Sequence, residues 1–112
     1  MADTDITKLI ERLDGFEEKL GVRLESMSAF LDDQGDNIFV TVNGELQSRD
    51  NTELKQNIEL VLAVYDKLGR IVGTESSYFS KEDFCEFETF NFLLGIPVNK
   101  LSKIRVYPKK SD

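Results

Sequence analysis

The chain has no histidine, no tryptophan and only one cysteine among its 112 residues. Without histidine, Ser-His-Asp and Cys-His catalysis are excluded, along with the commonest neutral general base. One cysteine and no histidine leave too few soft ligands for a structural zinc site. Cys85 alone cannot form an intramolecular disulfide or a redox dithiol, and a single thiol suits a reducing compartment. No run approaches the roughly 18 apolar residues of a membrane span. The first residues, Met1-Ala2-Asp3-Thr4-Asp5, are acidic where a secretion signal is basic, so a cytoplasmic location is expected.

Positive charge is also scarce. Fourteen basic residues face 21 acidic ones, for a net charge of -7. That balance opposes binding to nucleic acid, where cations must displace condensed counterions, and docking on anionic lipid. The exception is the C-terminus, where Lys100, Lys103, Arg105, Lys109 and Lys110 meet one acid, Asp112. A cationic last strand keeps a sheet edge soluble and can pair with acidic neighbours.

At this length, with 40% apolar residues, the chain suits one domain with its own core. Three parts are expected: an amphipathic helix over 1–21, a β-sandwich over 22–108 and a basic tail over 109–112. In the first part Asp3, Thr4 and Asp5 offer N-caps, and Gly21 offers a stop. Between them Ile6, Leu9, Ile10, Leu13, Phe16 and Leu20 recur at helical spacing.

Beyond Gly21 the period falls to two. Over Ile38–Leu46 the residues Ile38, Val40, Val42, Gly44 and Leu46 face one way, leaving Phe39 on the outer face. Val22–Leu31 is a second strand, joined to it by Asp32-Asp33-Gln34-Gly35-Asp36-Asn37. Ile58–Tyr65 is apolar on both parities, as befits a central strand, and turns through Asp66-Lys67-Leu68-Gly69 into Arg70–Phe79. Phe84–Leu94 shifts parity, and a bulge near Glu88–Thr89 would keep Cys85, Phe87, Phe90, Phe92 and Leu94 all inward. Leu101–Tyr107 is the last strand. The fold class expected is mainly β: an antiparallel sandwich of about six or seven strands with one N-terminal amphipathic helix.

The segment Leu62-Ala63-Val64-Tyr65-Asp66-Lys67-Leu68-Gly69-Arg70-Ile71-Val72-Gly73-Thr74, with Val42-Asn43-Gly44-Glu45-Leu46 upstream, resembles the bacterial FxLYD domain family. Over roughly residues 38–107 the resemblance implies an immunoglobulin- or fibronectin type III-like sandwich of unassigned function. Leu62 stands where that family has phenylalanine, and Ser80-Lys81-Glu82-Asp83 replaces its Pro-Gly-Glu loop.

No catalytic residue, cofactor or metal site is expected. Gly69-Arg70-Ile71-Val72-Gly73 does not open a helix, so it is no phosphate loop. The loop over 32–36 clusters hard oxygen ligands but lacks EF-hand spacing, and turn chemistry explains it. Cys85 lies on an apolar strand with no base or cation to activate it, which suits a buried, inert thiol. A carboxylate-based enzyme has little wall for a cleft.

The stripe Ile6, Leu9, Leu13, Phe16 and Leu20 is the one feature a sandwich does not require, and leaving it wet would forgo roughly 1.5–3 kcal/mol per side chain. It either packs on its own sheet or serves a homodimer or protein partner. The expected function is a non-enzymatic interaction or scaffold domain, using this stripe or a sheet edge. The alternative is a small acidic chaperone or carrier for an apolar peptide or ligand.

Overall fold

The structure is a computed structural model that describes residues 3–49 and 53–111. The ends of the expected helix and tail, residues 1–2 and 112, lie outside these residues, as do 50–52. In chain order come β1 (Asp3–Asp5), a single turn of 3-10 helix (Thr7–Leu9), β2 (Ile10–Arg12) and α1 (Asp14–Leu20). Then follow β3 (Val22–Asp33), β4 (Ile38–Ser48), β5 (Ile58–Asp66), β6 (Ile71–Phe79), β7 (Phe87–Ile96) and β8 (Leu101–Lys110). They form two sheets, ordered β1-β3-β4-β7 and β2-β8-β5-β6.

The alternation of apolar residues becomes the interior of this two-sheet, sandwich-like domain. From one sheet come Leu24, Val40, Val42 and Leu46, and from the other Ile58, Leu60, Leu62, Val64, Ile104 and Val106, all fully buried. β5 is central, paired with β6 on one side and β8 on the other. The turn after it is held by Asp66. Its Oδ1 accepts the backbone N–H groups of Leu68 and Arg70, each at 2.9 Å, and its Oδ2 accepts Arg70 Nε at 2.9 Å. These bonds, the Arg70 amide first among them, hold the Asp66 carboxyl below its ordinary pKa.

The expected helix over 1–21 is corrected to seven residues. Its first half runs extended across the side of the sandwich, pairing with β3 as β1 and with β8 as β2. Local chemistry favours this path. Thr4, Ile6, Thr7 and Ile10 are β-branched and poor helix formers. Asp5 Oδ1 accepts the Thr7 N–H at 2.9 Å, a bond that competes with helical pairing. The edge of β3 supplies the rest: Ile6 N–H donates to the Ala29 carbonyl at 2.8 Å, and Ala29 N–H donates to Thr7 Oγ1 at 3.0 Å.

Further along the same edge, side chains replace a strand. Glu17, fully buried on α1, accepts the Leu24 N–H at 3.1 Å through Oε1. Arg12 Nη2 donates to that oxygen at 2.7 Å and to the Leu24 carbonyl at 2.6 Å. Both backbone groups of Leu24 are thereby satisfied.

Three other expectations change. The bulge is not in β7, whose register with β4 runs unbroken from Gln47–Phe87 to Ile38–Ile96. Odd-numbered Phe87 and Leu93 therefore face solvent, while Phe90 and Phe92 are buried. The irregularity lies in β3 between Glu25 and Ser28, where Ser26 takes φ 56°. Met27 and Phe90 close over Gly44 there, and a Cβ at that position would sit 2.6 Å from Phe90 Cζ. Cys85, expected to be buried, is exposed. Lys109 and Lys110, expected in a tail, end β8.

Two stability measurements check this account. Arg12→Ala leaves the buried Glu17 carboxylate with one donor, and urea unfolding should show a loss of about 2–3 kcal/mol. Because the pKa of Asp66 is lowered by folding, its contribution is full above the unfolded-state value and lost as pH falls through the folded one. Asp66→Asn should therefore be destabilising at neutral pH, and the gap from the parent should close as both are acidified.

Candidate functional site

The apolar stripe read from the sequence is divided among different elements. Ile6 is buried in the core, and Leu9 and Leu20 are half-buried against it. Leu13 is half-buried where α1 begins, and Phe16 remains 47% exposed. Ile6 and Leu9 thus cover the domain's own interior, whereas Phe16 and Leu20 come together at a surface crevice.

That crevice, about 310 Å³, lies between α1 and the end of β8. Phe16, Leu20 and Pro108 form its apolar lining, and Lys19, Lys109 and Lys110 contribute their side chains beside them. Proline is tolerated at this point because the outer side of β8 is bordered by α1 and no longer by a strand. Phe16 meets Tyr107 edge-on, with ring centroids 5.5 Å apart. Lys109 Nζ is 3.6 Å from Glu59 Oε1. In a chain of net charge -7, three lysines around one apolar crevice make a local inversion of sign.

Through its contact with Tyr107, Phe16 abuts the outer face of β5, β6 and β8. Cross-strand register places Tyr107 beside Val61, Tyr78 beside Glu59, and Tyr65 beside Lys103. Lys103 Nζ lies 4.8 Å from the Tyr65 ring centre, and the Arg105 guanidinium carbon lies 5.2 Å from it. Arg105 Nε donates to Glu11 Oε1 at 2.6 Å, and Arg105 Nη1 donates to the Tyr65 hydroxyl at 3.3 Å. The Glu11 bond lowers the pKa of that carboxyl and raises that of the guanidinium. All three tyrosines of the chain stand on this one face. The sequence signal for it was available in the odd positions of the last strand, Lys103, Arg105, Tyr107 and Lys109, three cations and a tyrosine on one parity.

The acidic loop over 32–36 uses its carboxylates in turn bonds. Asp33 accepts the Gly35 N–H and the Asn99 side-chain amide, each at 2.9 Å, and its pKa is lowered by them, chiefly by Asn99. Among the described residues no group of three acids or cysteines is placed to hold a metal ion, and no helix is long and apolar enough to cross a membrane. The crevice and the tyrosine-bearing face belong to a mainly β, two-sheet domain.

No family model matches the sequence, and no curated protein matches it. Among solved structures, a chain described as a candidate beta-galactosidase from Bacteroides fragilis is similar over 81% of this chain, at 17% identity and a TM-score of 0.41. This chain spans 16% of that one.

The division of the stripe has a direct check. Ile6→Ala should cost about 2–4 kcal/mol in urea unfolding, as truncation of a buried side chain does. Phe16→Ala, already half in water, should cost about 1 kcal/mol or less.

Proposed function

We propose that this chain is a non-enzymatic protein-interaction domain, and that the α1–β8 crevice captures a partner segment bearing one large apolar side chain between carboxylates. The observation that carries the reading is Phe16, left about half exposed at a crevice whose three lysines oppose the sign of the rest of the chain. An apolar anchor entering between Phe16, Leu20 and Pro108 would be desolvated on several sides. Flanking carboxylates would meet Lys19 and Lys110 at the rim, where they govern orientation and association rate more than affinity.

We further propose an immunoglobulin- or fibronectin-type sandwich of the FxLYD kind. The pairings β3-β4-β7 and β5-β8 support it, being those of strands A-B-E and C-F in such domains. Residues Leu62 to Thr74 support it as well, forming the β5–β6 hairpin with Asp66 at its turn. The exposed thiol of Cys85 favours a reducing, cytoplasmic setting.

A blocked peptide with one phenylalanine between glutamates tests the crevice by isothermal titration at low ionic strength. Binding should weaken about tenfold or more in Lys19→Glu/Lys110→Glu and fade with added salt. Absence of binding, or affinity indifferent to these substitutions, would overturn the reading.

A further inference from the structure

The opposite sheet carries a second concavity of contrary character. On the outer face of β1-β3-β4-β7, Phe30, Thr41 and Leu93 stand in one cross-strand row, and Asp32, Phe39 and Gly95 stand in the next. Asp3 is paired directly with Asp32 across β1 and β3. Together with Gln34, all of these except Gly95 line a hollow of about 280 Å³ in which none of the described lining residues is basic. Leu93 is 63% exposed, and the Phe39 ring lies beside Gly95.

Two features of this hollow are unfavourable as they stand. Like charges directly opposite on neighbouring strands repel, and Asp3 and Asp32 are so placed. Asp32 Oδ2 accepts Gln34 Nε2 at 2.8 Å, but Asp32 Oδ1 is shielded from solvent and has no hydrogen-bond partner. A shielded acceptor without a donor is costly, and a carboxylate oxygen more so than most. A cation with several N–H donors would relieve the repulsion between the two carboxylates, and the phenylalanines beside it would add a cation–π attraction.

We propose that this hollow binds an extended segment of another protein that presents arginine or lysine beside an apolar residue. The cation takes Asp3 and Asp32, and the apolar side chain covers Leu93 and Thr41. Asp32 on β3 and Leu93 on β7 are two strand spacings apart across the sheet and two residues apart along it, roughly 12 Å in all. Side chains four positions apart on an extended segment, about 13 Å, match that span. The surface lies on the other sheet from the lysine crevice and stands independently of it.

The test is an NMR titration of the isotope-labelled protein with a blocked hexapeptide that carries arginine first, leucine third and fifth, and serine elsewhere, so that cation and leucine share one face. Saturable shifts are expected at the amides of Phe30, Asp32, Phe39, Thr41 and Leu93, with Phe16 and Leu20 unmoved. Replacing arginine by citrulline, which keeps shape and removes charge, should weaken binding about tenfold or more, and so should Asp32→Asn or Phe39→Ser. The rest of each variant's spectrum shows whether the fold is retained. Equal binding of the citrulline peptide, shifts at Phe16 and Leu20 in place of the hollow, or no saturable shift would overturn the proposal. So would shifts at the hollow that appear as the protein alone is concentrated, since the occupant would then be a second copy.

Discussion

Leu24 lies on the outer edge of β3 with its N–H and C=O bonded away from β4, to Glu17 and Arg12. Two side chains thus do there what a neighbouring strand would do. An edge residue left bare would invite pairing with another chain, and a buried carboxylate without its guanidinium would not be tolerated. The two problems are solved together, because the acid satisfies the backbone and the cation neutralises the acid. The arrangement also fixes three elements relative to one another: α1 through Glu17, β2 through Arg12 and β3 through Leu24. The position of β2 at the edge of β8, and of α1 beyond it, follows from this one anchorage.

The body of the domain was legible in the sequence because its strands alternate cleanly and are separated by turns of recognisable chemistry. Asp66 and Gly69 mark one turn as clearly as Asp33 and Gly35 mark another. The N-terminal segment was not legible, since Ile6, Leu9, Leu13, Phe16 and Leu20 satisfy a helical period while the backbone partners on β3 and β8 are remote in sequence. Tertiary pairing outweighed the local pattern. The parity shift around Phe87 was real, but it marked an aromatic turned outward and no bulge. The actual irregularity at Ser26–Met27 left only the glycine opposite it, Gly44, as a sign. Of the apolar stripe offered as a binding surface, Phe16 and Leu20 line a crevice. The hollow around Phe39 was missed because Asp3, Asp32 and Leu93 come from three separate strands.

The two outer faces differ in sign as well as in shape. One presents lysine, arginine and tyrosine, and the other presents aspartate and phenylalanine. The two proposed binding sites lie one on each side of the domain. Oppositely charged faces would let one small unit hold two dissimilar segments at once, on opposite sides of a shared core. The proposed interaction role would draw on that division.

The placement of the aromatic hydroxyls also has an optical consequence. With no indole in the chain, absorbance near 280 nm and the emission excited there arise from Tyr65, Tyr78 and Tyr107. All three lie on the β5-β6-β8 face, so the intrinsic luminescence of this protein is a local signal. It reports on the cationic side and stays largely silent about whatever settles on the acidic one.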